Sequence, residues 1–552
     1  MYASALLLAF ALPFAAIPPV ISTPWLSLTD DKVLIGIAAI AWLFGGLPSR
    51  DELKAIVPAC ALLLVSVVSS IRSDIPSNSL KATAHLGMAL FGILLALRVA
   101  REGLLWALLL GAACSAVLGV AEAFGWPAIT SVLRLFKVAP TLVGGELRVS
   151  ASFQYATIAA MYFEMIVPIA IALAASAASR AAQWAAIGIA LLCTADVVLT
   201  LTRAGMLTLG VVLAVLLVLA RGNRGNRYRA LLQPTLLVTT LLIVMMAVDA
   251  ARDPVFDLRL VTENDADWYG AVYQVPQNIE LHGNPASGAS AASVGVDIRN
   301  EGRIVWTRDG VHPFVLTYHW LNADGSALLD LPEGELPLPR DVPPGASIHI
   351  DAPVDVAALP GGTYRLEWDM VEQDVVQFYE RGWPNAQTLV TVDQGGPSQA
   401  PAVLPRDDSV APWVVPRVNL WQAAVQLIQR NPVLGVGTDN FRHLYGAELG
   451  LDSWDERVQA NNLYLEILAD TGFLGLIAFA WLVGPPLMRV VAVVRTSRNL
   501  NQAYYAIGVG LALLAFLVHG LFDTFLTFIP TAGLFAICLG FALAQKPHVS
   551  GR

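Results

Sequence analysis

Two adjacent amides and two acids sit at the head of a long apolar run in "QANNLYLEILADTGFLGLIAFAWLV" (459–483). If 461–470 is helical, Asn462, Glu466 and Asp470 recur every four residues and share one stripe. Leu463 and Ile467 form an apolar stripe beside it, and Gly472 supplies a stop before the run. A carboxylate on that stripe can take a proton from a hydroxyl, whereas Asn461 and Asn462 can only orient one. His443, in "NFRHLYG", is a second proton acceptor nearby in the chain. Helix capping explains one Asn at such a position but not the whole stripe.

Three arginines suggest what such a group would act beside. Arg203 lies in "LTLTRAG", Arg148 in "ELRVSASF", and Arg417 opens "RVNLWQAAVQLIQR". The planar guanidinium binds phosphate oxygens in bidentate fashion, so arginines gathered on one face suit a pyrophosphate. Other ionisable groups fall in or beside apolar runs: Glu164 in "MYFEMIVP", Asp196 seven residues before Arg203, Lys81 and His85 four apart, and His519 and Asp523 four apart. Such groups are costly within a membrane and face a partner or a cavity. Any one pair reads as a buried ion pair that fixes packing; together they read as the polar surround of an anionic site.

The elements that must position these residues are membrane helices. The 552 residues are 56% hydrophobic and 14% charged, with a mean hydropathy of +0.60, which points to an integral membrane protein. A helix needs roughly 20 apolar residues to cross the hydrocarbon core. Twelve runs qualify, near 4–21, 33–47, 54–71, 83–99, 103–124, 155–178, 182–200, 204–220, 230–249, 473–494, 503–521 and 526–544, with 33–47 the shortest. The first lacks a basic leader and a small-residue cleavage site, so it reads as a retained helix. Cys60, Cys114, Cys193 and Cys538 all lie inside apolar runs and read as small buried side chains rather than a disulfide framework or metal site.

Basic residues set the expected orientation. The loops on one side of a twelve-helix count hold 14 Lys and Arg, including "RGNRGNRYR" (221–229), against seven in the short loops of the other. Both termini are therefore expected in the cytoplasm and residues 250–468 outside it. That outer segment carries 30 acidic and 13 basic residues, a net of −17, and the remainder is +8. An acidic exterior argues against nucleic-acid binding.

Within 254–394 helical periodicity gives way to alternating strands, "VGVDIRN" (294–300), "FVLTYHWL" (314–321), "SIHIDAPV" (347–354) and "TYRLEWDMV" (363–371), separated by "NADG", "PPG" and "PGG" turns. Short strands at this spacing suggest an immunoglobulin-like β-sandwich. Trp306, Trp320 and Trp368 are its expected core aromatics, and Trp268 or Trp383, if exposed, could stack on a sugar. A Pro-rich linker, "GGPSQAPAVLPRDD", leads from it through residues 395–416 to amphipathic helices over 417–472, and 473–552 holds the last three spans. The "GVG" of "NPVLGVGTDNFRHLYG" is not a dinucleotide fingerprint, since no buried strand precedes it and the third glycine is missing.

The run "RVNLWQAAVQLIQRNPVLGVGTDNFRHLYG" followed by "NNLYLEILADTGFLGLIAF" resembles the signature of the O-antigen ligase and O-antigen polymerase superfamily, "LTLTRAG" resembles its arginine turn, and "LVHGLFDTFL" its penultimate-helix motif. The β-rich stretch lies outside that signature. The twelve apolar runs make this a polytopic helical membrane protein of about twelve spans, and the resemblance implies a GT-C-like fold. It implies transfer of a glycan from an undecaprenyl-diphosphate carrier to a glycan, lipid or protein acceptor outside the cell membrane, without nucleotide sugar, metal or other cofactor. By the same resemblance Arg203 and Arg417 engage the diphosphate, as Arg148 also could.

Where the family commonly reads His-Ala-His-Asn, this chain reads Gln459-Ala460-Asn461-Asn462, so both histidines are gone. Glu466 is the first substitute base and His443 the second. A third course needs no base before late proton loss, the arginines stabilising the departing diphosphate. A solute transporter, or a non-catalytic assembly subunit that binds through its β-domain, are the alternative functions. A transporter would be expected to show inverted repeats around broken midplane helices, and none is evident in the sequence.

Overall fold

The computed structural model describes the chain apart from residues 23–26, 47, 223–226, 263–264, 282–290, 332, 356–359, 393–400, 405–414, 452 and 547–552. Much of the Pro-rich linker and part of the 221–229 basic run therefore lie outside the described residues.

Sixteen α-helices are described. In order they are α1 (Tyr2–Ala11), α2 (Asp30–Leu43), α3 (Arg50–Arg72), α4 (Pro76–Val99), α5 (Glu102–Ala123), α6 (Pro127–Leu133), α7 (Ala156–Ser176), α8 (Arg180–Leu199), α9 (Arg203–Gly222), α10 (Leu232–Arg252), α11 (Pro254–Val261), α12 (Arg417–Arg430), α13 (Phe441–Glu448), α14 (Leu463–Thr496), α15 (Leu500–His519) and α16 (Ile529–Ala544). Among the described residues nine are long and apolar enough to cross a membrane, which makes this a multi-pass helical membrane protein. Helices α1, α2 and α16, of 10, 14 and 16 residues, stand where the first, second and last apolar runs lie. Helix α7 is buried on every face from Ala156 to Ala174, except for Thr157, and packs between α8 and α15. That is the pattern of a helix surrounded by others rather than by lipid.

The two ends of the bundle differ. At one end basic side chains close the helix termini: Arg98 pairs with Glu52 at 2.8 Å, Arg489 Nη1 donates to the Gln545 carbonyl at 3.1 Å, and Arg227 donates to the Ser497 carbonyl. At the other end the α8–α9 turn, the α15–α16 loop and the long segment between α10 and α14 come together.

That segment contains the β-rich region. Strands β1 (Ile21–Ser22) and β2 (Ser27–Leu28) and the hairpin β3 (Thr141–Val143) with β4 (Glu146–Arg148) belong to the membrane part. The β-rich region comprises β5 (Ala271–Gln274), β6 (Asn278–Leu281), β7 (Ala291–Asn300), β8 (Phe314–Asn322), β9 (Leu328–Leu329), β10 (Gly334–Pro337), β11 (Ser347–Asp355), β12 (Gly362–Glu372), β13 (Val376–Gln377), β14 (Ala386–Val392) and β15 (Val403–Leu404). One sheet runs β15-β9-β8-β12-β14-β6, with β10 added to β8 and β13 to β12; the other runs β11-β7-β5. All pairs are antiparallel except β14 with β6. Alternation puts Leu316, Tyr318 and Trp320 opposite Met370, Trp368 and Leu366 on one buried face. The Tyr318 hydroxyl donates to the Pro353 carbonyl at 3.3 Å, and that of Tyr273 to Asp369 at 3.1 Å, joining the two sheets.

The region opens on helix α11 rather than on a strand, because Asp253 accepts from the Val255 amide at 2.8 Å and Pro254 stands at the first turn. Strand β15, inside the Pro-rich stretch, pairs with β9. Trp306, Trp320 and Trp368 are buried as expected. Trp268 corrects the idea of an exposed sugar platform: it is 0% exposed and its indole donates to Thr262 at 3.0 Å. Trp383 is half-buried, with its indole on the Ala266 carbonyl at 2.8 Å.

Candidate functional site

The acidic stripe starts a helix that breaks and resumes. Within α14, Gly472 has φ 66° and ψ −167°, a conformation open in practice only to glycine. A Cβ there would lie 2.3 Å from the carbonyl carbon of Val433. The break frees backbone groups, and the loop after α12 takes them up. The Val436 and Gly437 amides donate to the Ala469 and Asp470 carbonyls, each at 2.9 Å, and the Phe473 amide donates to the Pro432 carbonyl at 2.8 Å. The "GVG" thus serves a close backbone crossing. Asp470 completes the lock, its two oxygens accepting from the Asp439 amide at 2.5 Å and the Phe441 amide at 3.1 Å. Its place on the stripe is therefore explained by loop organisation.

Asn462 is the N-cap of α14. Its Oδ1 accepts from the Tyr464 and Leu465 amides, each at 3.0 Å, and its amide nitrogen donates to the Leu521 carbonyl at 3.0 Å. Glu466 faces the bundle. One of its oxygens accepts from the Ala460 amide at 2.7 Å, while the other is buried with no hydrogen-bond partner among the described residues. Glu466, Asp470, Asp439, Lys81, His85 and Arg442 line a cavity of about 230 Å³ between α3, α4 and α14.

A second site lies across the 459–463 loop. Arg148, Arg203, Arg259 and Arg417 line one cavity of about 360 Å³, together with Thr157, Thr202, His519 and Asp523. The four arginines come from strand β4, the first residue of α9 after the α8–α9 turn, α11 and the first residue of α12. Arg148 is stapled to the turn that carries Arg203: its Nε donates to the Thr200 carbonyl at 3.1 Å, its Nη2 to Thr202 at 3.2 Å, and the adjacent Val149 amide to the Leu199 carbonyl at 3.1 Å. Glu122, at the end of α5, fixes the following residues by accepting from the Ser150 and Ala151 amides at 3.2 and 2.9 Å. Lys137 closes this buried pair. Leu201, Ala151, Asp439 and Asn461, with φ of 50°, 49°, 63° and 49°, adopt left-handed backbone, and Asp439 among them lines the Glu466 cavity.

The crowding has an electrostatic signature. Burial, with Arg417 and Arg203 close by, brings the Arg148 guanidinium down to about 10. Burial and the other three arginines bring Arg259 down to about 9. Burial pushes the Asp523 carboxyl up, against the pull of Arg417 and Arg148. Cations that raise one another's energy in this way gain when an anion enters between them.

Of the residues singled out from sequence, Arg148, Arg203, Arg417, His519 and Asp523 come together at this cavity, and Glu466, Lys81 and His85 at its neighbour. Asn461 lines a third cavity, which shares Arg148, Arg259, Arg417 and Asp523 with the arginine cavity. Glu164 lies beneath, with Oε1 2.8 Å from His519 Nδ1, both side chains fully buried. Asp196 is buried against Gly119 of α5 and lines neither cavity. His443 also lines neither; its Nδ1 sits 3.0 Å from Glu456. Sequence reasoning missed Arg259, Arg381 and Arg457. Arg457 stands two residues before Gln459 and could have been found by its nearness to the motif; Arg259 lies in the eight-residue helix α11 and Arg381 in a single 3-10 turn, both too short to give a periodic signal.

The O-antigen ligase family model matches residues 375–480, from within the β-rich region through the break in α14. The matched stretch, which takes in α12, α13 and the start of α14, is similar to O-antigen ligase. No curated protein matches the chain.

Proposed function

With residues 375–480 matching O-antigen ligase, we propose that this protein transfers a glycan from a polyprenyl diphosphate to a glycan, lipid or protein acceptor. The carrier is undecaprenyl diphosphate and the site faces the outer side of the cytoplasmic membrane. The two-sheet region is an immunoglobulin-like insertion in the large outer loop.

One observation carries the reading: Arg148, Arg203, Arg259 and Arg417, from four distant parts of the chain, surround a single cavity next to the ligase-like segment. They would hold the diphosphate by charge-assisted bidentate hydrogen bonds and stabilise the charge it gains as it leaves. The acceptor oxygen attacks the anomeric carbon, the bond from that carbon to the phosphate oxygen breaks, and its electron pair departs on the diphosphate. The acceptor proton passes to a carboxylate. Glu466 suits that role because one oxygen is anchored by the Ala460 amide and the other is not hydrogen-bonded among the described residues. Its cavity would receive the acceptor, so the two substrates meet across the 459–463 loop.

The test is transfer from the producing cells' own lipid-linked glycan in reconstituted membranes. Arg203→Ala and Arg417→Ala should each abolish transfer at unchanged membrane abundance, and full activity in both would refute the phosphate role. Glu466→Gln should lower the rate about 100-fold or more, the usual weight of a general base. An unaffected rate would leave the base-free, leaving-group-driven course.

A further inference from the structure

The β-rich region is docked tightly on the hairpin that carries Arg148. In the β3–β4 turn, a Cβ on Gly144 (φ 56°) would lie 2.7 Å from the Trp268 ring, and one on Gly145 would lie 2.7 Å from Glu372 Oε1. The region therefore sits in fixed register with the arginine cavity. Beside it opens the third cavity, of about 490 Å³, lined by Asp265 and Arg381 from the β-rich region and by Asp455, Arg457, Gln459 and Asn461 from the loop before α14. Its size lies within the roughly 300–1,000 Å³ of ligand pockets, and it shares Arg148, Arg259, Arg417 and Asp523 with the arginine cavity.

Away from those shared residues, its lining differs from that of a phosphate site. Arg381 Nη2 is 3.1 Å from Asp265, and its guanidinium lies over the Tyr269 ring at 6.0 Å. Its Nε is buried with no hydrogen-bond partner among the described residues. Arg457 holds Asp455 through Nη2 at 2.7 Å and Nε at 2.8 Å. Each of these two guanidiniums is already neutralised by an aspartate. Such pairs offer donors and acceptors side by side, as do the Gln459 and Asn461 amides, and that combination fits the hydroxyls of a sugar ring better than a second phosphate.

We propose that this cavity is a glycan subsite, built jointly by the β-rich region and the 455–461 loop, which reads the sugar attached to the diphosphate. It rests on the reading of the arginine cavity as the diphosphate site. The β-rich region is then a wall of the substrate site, and Arg381 is one of its specificity-determining residues.

The experiment compares two probes on the detergent-solubilised full chain: glycan-free undecaprenyl diphosphate, and the lipid-linked glycan extracted from the producing cells. Arg381→Gln should weaken binding of the glycan-bearing lipid about tenfold and change binding of the glycan-free lipid less than twofold. Because Arg381 also contacts Tyr269, Arg457→Ala serves as a second variant; its side chain is 76% exposed, so its loss leaves the fold intact. Unchanged affinity for the glycan-bearing lipid in both variants overturns the subsite. An equal loss for both lipids overturns it too, while leaving the diphosphate reading in place. A wild-type protein that binds neither lipid overturns both.

Discussion

Arg259→Gln removes one cation from a cavity that also holds Arg148, Arg203 and Arg417. The Arg259 guanidinium is brought from 12.5 to about 9, by burial first and by those arginines next. At about 1.4 kcal/mol per unit, the charged form is opposed by roughly 5 kcal/mol, which solvent screening at a partly exposed side chain reduces to about 2–3 kcal/mol. Because the folded-state value is depressed, the penalty is fully present at neutral pH and eases only as pH rises through about 9. The ligand-free variant should therefore melt higher than the wild type, by about 1–3 °C in a chain this long. It should also bind farnesyl diphosphate about 10–100-fold more weakly, as befits a lost charge-assisted contact. Thermal unfolding in detergent, with the diphosphate titrated, measures both quantities. A melting temperature that falls without ligand, or a ligand-induced rise equal to that of the wild type, refutes the idea of a cationic cluster strained until an anion fills it.

Three further outcomes are expected. Gly472→Ala puts a Cβ 2.3 Å from the Val433 backbone at positive φ; about 3–5 kcal/mol of destabilisation should follow, read as loss of folded protein in membranes, and normal yield and melting would contradict the account of the break. In the β-rich region, burial pushes the Asp369 carboxyl up to about 7, so the folded state holds its proton longer than the unfolded chain and stability falls as pH rises from about 4 to 7. Tryptophan-monitored unfolding of that region should show a lower midpoint at pH 8 than at pH 5, with Asp369→Asn flattening the difference; a midpoint that rises with pH would contradict it. For the buried His519–Glu164 pair at 2.8 Å, Glu164→Leu alone should cost about 3–5 kcal/mol and the double Leu variant less, since breaking one partner leaves the other polar and buried. Additive losses would mean that the two are not coupled.

Much of the fold could be read from residue pattern. The amphipathic helix expected at 417–430 is α12, and the strands expected at 314–321 and 363–371 are β8 and β12 to within a residue, because their periods of 3.6 and 2 are carried by side chains buried on one face. Site residues were harder to read. Asn462 and Asp470 share a stripe with Glu466, yet both are spent on capping amides and locking a loop, and spacing cannot separate those roles from catalysis. Trp268, which could have stacked on a sugar if exposed, is instead covered by the β3–β4 turn. Arg259 and Arg381 reach the site through contacts between segments over a hundred residues apart, which local pattern does not encode.

Leu201, Ala151, Asp439 and Asn461 hold their backbones where a side chain is unwelcome. Exchange of any of them for glycine would relax the native chain, yet the same exchange would loosen a hinge on which a guanidinium or carboxylate is aimed. A selection for heat tolerance alone would collect such glycines and drift towards a sturdier, blunter protein. Sorting variants by melting point and by turnover together would show at which of these corners rigidity serves chemistry rather than folding.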